Sequence, residues 1–270
     1  MNQRVKTILK LLLTGLVTTM VRIAGQLSIP AGEQTVLPPS LFAQNGTMPL
    51  AFTVYGIFAY TGIAALFLLI RGRMGGGRLS QGIQYGLSCC VVWIVYLLEP
   101  LPHVAPLDRI TYPIADSLAL LVMGLLLGLL FGISGQKVPE TRSRKYPLVS
   151  ILAITACFLA GRLLLYTAAG IYSSFADQPA ETLLWCLLTG VSAACVMAWL
   201  NRRVNENGRI RKALVLGCLL FGADLALFNF FMPLVFSADI PDLILRTLTD
   251  IFTVTAGCLT LSSGQTDIRS

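Results

Sequence analysis

AFTVYGIFAYTGIAALFLLI, at residues 51–70, is a run of 20 amino acids without a charged side chain. Folded as an α-helix, a run of this length spans the hydrocarbon core of a bilayer, which is about 30 Å thick. Residues 79–98 and 182–200 contain no charged side chain either. Charged residues make up 12% of the 270 positions and hydrophobic residues 55%, whereas about a quarter of an average soluble domain is charged. The sequence therefore predicts an integral membrane protein built from helices.

The same criterion applied along the whole chain predicts an all-α, polytopic fold with eight transmembrane helices. These helices cover residues 6–28, 50–70, 79–99, 110–134, 147–170, 181–200, 212–235 and 243–263. A signal peptide is the alternative for the first helix, because basic residues precede the apolar run 11–21 and small residues, Ala24 and Gly25, follow it.

The distribution of Lys and Arg orients the predicted helices. Of the 20 Lys and Arg, 16 fall at the two ends of the chain or in three alternate loops, whereas the intervening loops hold Arg109 at most. The positive-inside rule then places both termini in the cytoplasm. The 16 residues are Arg4, Lys6, Lys10, Arg71, Arg73, Arg78, Lys137, Arg142, Arg144, Lys145, Arg202, Arg203, Arg209, Arg211, Lys212 and Arg269.

This topology explains the net charge of +7 without a nucleic-acid partner. It predicts a multi-pass protein of the cell membrane, which is the plasma membrane or, in a bacterium, the inner membrane. The sequence therefore predicts the lipid bilayer as the main partner of the protein. The basic cytoplasmic loops could in addition contact a partner protein or anionic lipid.

No motif in the sequence indicates a catalytic centre, a metal site or a cofactor. All seven cysteines fall within predicted helices and lack metal-ligand spacing. His103, the only histidine, lies in a Pro-rich outer loop without other imidazoles, and we expect it at the surface. These features argue against an enzyme.

The second half of the chain resembles the first at an offset of about 130 to 140 residues. The matched pairs are Arg22 and Arg162, Pro49 and Pro179, Arg78 and Arg209, Gly86 and Gly217, Asp108 and Asp242, and Asp116 and Asp250. We interpret the match as a duplication, with one four-helix copy in residues 1–136 and a second in 137–270. Since each copy has an even number of spans, the copies should be related by a pseudo-two-fold axis along the membrane normal. Duplication also disfavours the signal peptide, because the counterpart of the first helix lies in mid-chain.

Four arginines fall outside the cytoplasmic groups, namely Arg22, Arg109, Arg162 and Arg246. A charge inside the membrane costs about 2.5 to 3.5 kcal/mol on insertion scales, which favours an oppositely charged partner. We therefore predict that Arg22 pairs with Asp116 and Arg162 with Asp250. Arg109 and Asp116 are seven residues apart, and Arg246 and Asp250 are four apart, so each aspartate could bridge two arginines on one helix face.

Two carboxylates do not follow this symmetry. Asp224 lies in the middle of the seventh predicted helix, opposite Trp93 in the other copy, and Glu99 ends the third helix beside Pro100. An unmatched carboxylate deep in a span is a candidate for proton or cation coupling, because protonation removes its desolvation cost.

Glycines at four-residue intervals mark one face of the fourth predicted helix. They are Gly124, Gly128 and Gly132. Small residues at this spacing allow a second helix to approach closely, so we interpret the run as a packing surface.

Two functions fit these features. The first is a small secondary carrier with a charged site in the outer half of the membrane, where the arginines suit an anionic solute. Its candidate binding residues are Arg22, Arg162, Asp116, Asp250, Asp224 and Arg246. The second is a non-catalytic membrane subunit, such as a sensor, assembly factor or immunity protein, in which the same charges only fix helix positions.

Overall fold

The computed structural model describes residues 2–29, 32, 34–134, 147–204 and 208–261. These residues form helices and connecting loops without a β-strand, as predicted; a single isolated β-bridge joins Pro39 and Phe236. Several residues of the predicted cytoplasmic groups lie outside the described residues. These are Lys137, Arg142, Arg144, Lys145 and Arg269.

A long helix occupies each of the eight predicted positions. Their bounds are α1 Gln3–Ser28, α2 Met48–Ile70, α3 Arg78–Leu97, α4 Asp108–Phe131, α5 Pro147–Leu164, α6 Pro179–Asn201, α7 Arg209–Val235 and α8 Ile240–Cys258.

Two of these helices depart from α-helical geometry. Helix α5 continues into a π-helical turn over Leu165–Ala169. Helix α7 is π-helical over Leu214–Ala223, returns to α-helix over Asp224–Asn229 and is interrupted by a turn at Phe230 and Phe231. π-Helical turns are rare overall, but where they occur they frequently lie at functional sites.

Within the described residues, six helices are long and apolar enough to cross a membrane, namely α1, α2, α4, α5, α6 and α7. Their outer faces carry large apolar side chains, such as Phe58 at 66% exposure and Leu184 at 56%. A surface of this kind is suited to lipid and not to water. These helices are consistent with a multi-pass membrane protein. Helices α3 and α8 are more polar, since α3 carries two glutamines and α8 three charged residues.

The helices pack in a regular order. In the first half, α1 packs against α2 and α4, and α3 packs against α4. In the second half, α5 packs against α6 and α8, and α7 packs against α8. The halves meet where α3 contacts α6 and α2 contacts α7.

Glycines make the closest of these contacts possible. A Cβ atom on Gly82 of α3 would lie 2.0 Å from the carbonyl oxygen of Gly124 on α4, and one on Gly128 would lie 2.7 Å from that of Arg78. The predicted glycine face of the fourth helix is therefore confirmed as a surface of close backbone approach.

Candidate functional site

The most complete polar cluster surrounds Arg162 of α5, whose side chain is entirely buried. Its Nε donates to Asp250 Oδ1 of α8 at 2.8 Å, and its Nη2 donates to Asp250 Oδ2 at 2.6 Å. Its Nη1 donates to Glu99 Oε1 at 3.0 Å, and its Nη2 also donates to the Tyr96 hydroxyl at 2.6 Å. Glu99 and Tyr96 belong to the first half of the chain, so this cluster joins the two halves. We call it the closed cluster.

Arg246 completes the closed cluster in a way that the sequence did not predict. Its Nη1 donates to Glu99 Oε2 at 3.2 Å, so one glutamate bridges Arg162 and Arg246. The prediction that Asp250 bridges the two arginines is wrong, because the Arg246 side chain extends toward Glu99 and the Tyr172 carbonyl oxygen. All of these charged residues are at most 5% exposed.

The second predicted ion pair lies in the first half of the chain. Arg22 of α1 donates through Nε to Asp116 Oδ1 and through Nη2 to Asp116 Oδ2, the latter at 3.1 Å. The guanidinium carbon lies 4.9 Å from the ring centre of Phe52 and 4.1 Å from that of Phe231. Its Nη1 is buried and has no hydrogen-bond partner among the described residues. Arg109, which we expected beside Asp116, instead faces Glu181 at 3.8 Å near the surface.

Asp224 lies between the halves, at the end of the π-helical stretch of α7. It is 5% exposed, and within the described part of the chain it forms no ion pair and its Oδ1 accepts no hydrogen bond. The Trp93 indole lies beside this carboxylate, but its nitrogen and Asp224 Oδ1 have no hydrogen-bond partner in the described structure. Asp224 is thus a buried carboxylate without a described charge partner.

Aromatic rings connect Asp224 to Arg22. Phe228, one helical turn after Asp224, lies 4.4 Å from Trp93 between ring centres, and Trp93 lies 5.9 Å from Tyr60. Tyr60 in turn lies 6.2 Å from Phe231, the ring that covers Arg22. The Tyr60 hydroxyl and the Trp93 indole nitrogen are buried and have no hydrogen-bond partner in the described structure. We call Arg22, Asp116, Tyr60, Trp93 and Asp224 the open cluster.

The outer loops bring a further set of polar groups together. The Gly32 amide donates to Asp108 Oδ1 at 2.7 Å, and the Tyr172 amide donates to Asp242 Oδ1 at 3.0 Å. His103 stacks on Tyr172, and its Nδ1 lies 3.1 Å from the Tyr172 hydroxyl.

His103 is only 8% exposed, so the prediction of a surface position is wrong. The reason is that the loop folds back onto the ends of the helices, where aromatic neighbours cover the imidazole. Burial and the nearby Arg246 lower the pKa of His103 to about 4.

Within the described residues, no group of three or more His, Cys, Asp or Glu side chains could hold a metal ion. A shallow surface depression lies at the start of α3 and the end of α4, lined by residues such as Arg78 and Leu129. It is at the opposite end of α3 from Glu99 and carries none of the clustered charges.

Sequence reasoning identified the arginines and aspartates of both clusters but missed Tyr60, Trp93 and Phe231. These aromatic residues lie in apolar runs, where nothing in the sequence distinguishes a ring that faces a charge from one that faces lipid. The chain matches no protein-family model, no curated protein and no solved structure. The fold and the two clusters thus define a multi-pass helical membrane protein with a buried network of charges.

Proposed function

We propose that the protein is a small proton-coupled carrier with eight transmembrane helices in two parallel four-helix copies, both termini being cytoplasmic. The observation that carries this proposal is Asp224, a buried carboxylate without a described charge partner beside a π-helical stretch between the halves. Helix architecture, internal correspondence and the chemistry of Asp224 each support one part of it.

The direction of their polar side chains supports the proposal that α3 and α8 also cross the membrane. In α8, Arg246 and Asp250 are at most 5% exposed, whereas Leu248 and Phe252 are 59% and 74% exposed. In α3, Gln81 is fully buried while its outer face is apolar. Because the polar groups face other helices and the apolar groups face outward, both helices suit a bilayer despite their composition.

Two parallel copies are supported by the packing order. The contacts of α1 with α2 and α4, and of α3 with α4, recur as those of α5 with α6 and α8, and of α7 with α8. The contacts between halves, α3 with α6 and α2 with α7, exchange under a two-fold rotation. This is the pattern that parallel repeats produce.

Individual hydrogen bonds support the same relation. The Arg22–Asp116 pair corresponds to Arg162–Asp250. Two further pairs of hydrogen bonds correspond at the sequence offset. The bond from the Gly32 amide to Asp108 corresponds to the bond from the Tyr172 amide to Asp242. The bond from the Tyr55 hydroxyl to the Leu227 carbonyl, at 2.7 Å, corresponds to the bond from the Trp185 indole to the Val95 carbonyl, also at 2.7 Å. The division into residues 1–136 and 137–270 rests on these correspondences.

Proton coupling is supported by the energetics of Asp224. An ionised carboxylate in a low-dielectric interior is costly, and binding a proton removes that cost. The distorted helix beside it gives the backbone a place to change conformation. A carboxylate that is charged in one conformation and protonated in another is a means to couple solute movement to a proton gradient.

The charge balance bears on the solute. The buried groups of the two clusters comprise three arginines and four carboxylates. Each arginine contacts a carboxylate, so the arginine excess that suggested an anionic solute is neutralised. We therefore propose a small solute, and the groups of the open cluster determine which charge it carries.

A membrane subunit is the second candidate, favoured by the closed cluster. Arg162, Asp250, Glu99 and Arg246 form ion pairs across the two halves, with Arg246 Nε the one guanidinium nitrogen of the closed cluster that has no described acceptor. Such paired charges are expected of a structural clamp. In a subunit, the whole interior would serve this role and Asp224 would be dispensable.

An uptake experiment on Asp224→Asn separates the two candidates. Protein is reconstituted into vesicles that contain a pH-sensitive dye, and lactate, inorganic phosphate, L-alanine or ethylamine is added outside under an inward proton gradient. For a carrier, at least one solute changes the rate of proton entry relative to empty vesicles, upward if solute and proton enter together and downward if they exchange at Asp224. Asp224→Asn removes that effect while the folded amount is kept, because an amide at this position needs no counter-charge.

Asp239→Asn is the matched control, since it makes the same chemical change at an exposed position and preserves the cap of α8. Its uptake should equal that of the wild type. Solute-dependent proton entry that persists in Asp224→Asn would contradict the proposal, and wild-type vesicles that do not differ from empty ones would favour the subunit.

A further inference from the structure

The two clusters are related by their arginine–aspartate pairs but are not equally complete. In the closed cluster, every nitrogen of Arg162 donates to an acceptor, and its Nη1 donates to Glu99. In the open cluster, Arg22 Nη1 has no described acceptor, and the ring of Phe231 covers the guanidinium instead. The ring attracts the cation through its π-electrons but supplies no lone pair for the N–H group.

The closed cluster shows which groups complete such a site. It contains one additional ion pair, Glu99 with Arg246, at 3.2 Å. The carboxylate of this pair accepts from Arg162 Nη1, the nitrogen that corresponds to Arg22 Nη1. The cation of this pair balances the added negative charge within the closed cluster. Asp242, whose side chain is 17% exposed, is a further partner of Arg246 at 3.4 Å.

The open cluster lacks both members of that ion pair but retains groups that would bind them. Three buried donors, Arg22 Nη1, the Tyr60 hydroxyl and the Trp93 indole N–H, have no described acceptor. One buried acceptor, Asp224 Oδ1, has no described donor. Unpaired buried polar atoms are costly, and four of them along one chain of touching aromatic rings is an arrangement that a ligand can relieve.

We propose that the open cluster binds a zwitterionic solute of the amino-acid type, whose carboxylate is bound by Arg22 and Tyr60 and whose ammonium group is bound by Asp224 beside Trp93. The solute then supplies the two charges that Glu99 and Arg246 supply in the closed cluster. This inference rests on the proposed carrier function, since it names the solute class of that carrier.

Charge and geometry both favour a zwitterion over a simple ion. A carboxylate alone would add a second uncompensated negative charge near Asp224, and an amine alone would leave Arg22 Nη1 and the Tyr60 hydroxyl unsatisfied. The aromatic rings of Trp93 and Phe228 beside Asp224 add a surface that attracts an ammonium group. Access requires the Phe231 ring to move, and Phe231 lies in the turn that interrupts α7.

Equilibrium binding to purified protein in detergent tests the inference independently of transport. The probes are L-alanine and L-phenylalanine with their half-molecules, propionate and phenylpropionate as carboxylates, and ethylamine and phenethylamine as amines. Binding is followed by isothermal calorimetry. We expect at least one amino acid to bind with 1:1 stoichiometry, and each of its half-molecules to bind at least about tenfold more weakly, since each loses a charge-assisted hydrogen bond.

Tyr60→Phe should weaken amino-acid binding about tenfold without lowering thermal stability, because the deleted hydroxyl has no described partner. Tyr85→Phe is the matched control, since it removes a buried hydroxyl that donates to the Ile63 carbonyl at 2.7 Å, outside both clusters. It should lower stability and leave the affinity unchanged.

Propionate or ethylamine that binds as tightly as L-alanine would overturn the inference, and so would an amino-acid affinity that Tyr60→Phe leaves unchanged. Either result is compatible with a carrier of another solute, so the proposed function would stand. Conversely, 1:1 amino-acid binding with the expected variant effects, combined with proton entry unaffected by Asp224→Asn, would refute coupling and retain the binding site.

Discussion

Glu99→Gln is the substitution that tests most directly whether the closed cluster holds the two halves together. Glu99 is 4% exposed and accepts from Arg162 Nη1 at 3.0 Å and from Arg246 Nη1 at 3.2 Å. Glutamine has nearly the same shape but no charge, so Arg162 would keep only Asp250 and Arg246 only Asp242 as ion-pair partners. The NH2 group of the glutamine would also lie against an arginine N–H group, so that two hydrogen-bond donors would face each other.

The expected loss is about 3 to 5 kcal/mol, the usual cost of removing one partner from a buried ion pair. A neutral hydrogen bond between transmembrane helices averages only about 0.6 kcal/mol, so the two cases are well separated. Unfolding is titrated with sodium dodecyl sulfate in mixed micelles and followed by tryptophan fluorescence, because Trp185 lies 4.8 Å from the Arg162 guanidinium carbon.

Glu181→Gln is the matched control, because Glu181 faces Arg109 at 3.8 Å with a side chain that is 62% exposed. Its loss should be about 0.5 kcal/mol or less. The double variant Glu99→Gln with Arg246→Gln removes one charge of each sign and should recover most of the stability lost in Glu99→Gln. If Glu99→Gln and Glu181→Gln cost the same, the closed cluster does not stabilise the fold and the reasoning fails.

Two further predictions follow from backbone packing and from the outer loop. Gly82→Ala should abolish the folded protein, because the new Cβ would lie 2.0 Å from the Gly124 carbonyl oxygen. Gly72→Ala is the control and should be neutral, because its Cβ would meet no atom within 4 Å. The yield of monodisperse protein after size-exclusion chromatography measures both effects. Because the pKa of His103 is lowered from about 6.5 to about 4, the unfolded chain binds a proton at this site before the folded chain does. Stability should therefore fall as the pH drops from about 6.5 to about 4, and His103→Phe should lessen that fall in thermal melts; an unchanged pH dependence would contradict the buried, neutral imidazole.

The buried charges are the part of the site that could be predicted from the sequence. An arginine within an apolar helix must find an anion, and only a few carboxylates are available at matching depth, so Arg22 with Asp116 and Arg162 with Asp250 follow almost by elimination. The helices and the glycine face of α4 were predictable for a similar reason, since length, hydropathy and spacing each have a direct physical meaning.

Other parts of the site depend on information that periodicity does not contain. Glu99 lies just beyond the end of α3, where side-chain direction follows the turn and not the helix, so its bridge between two arginines could not be predicted. The π-helical stretch before Asp224 widens the helix without altering its composition. Arg246 shares a helix face with Asp250, but its long side chain reaches past that carboxylate to Glu99.

The difference between the two clusters also bears on how a carrier of this design could move. A rigid rocking of one half against the other would break the bonds of Glu99 and Tyr96 with Arg162, which cross between the halves. That would expose or separate several buried charges and cost several kcal/mol with no compensating contact in view. The contacts around α7 impose no such cost, because Asp224 has no described ion pair to break.

The backbone favours the same location for motion. Helix α7 is π-helical over Leu214–Ala223 and is interrupted at Phe230 and Phe231, so both ends of the segment that carries Asp224 lie beside irregular backbone. Binding at the open cluster, as proposed, would displace Phe231 and pair the Asp224 carboxylate with a cation in the same step, so contacts near both ends of this segment would change. We therefore expect α7 to move as a hinged segment against a framework fixed by the closed cluster, with the open cluster as the proposed binding place of the solute.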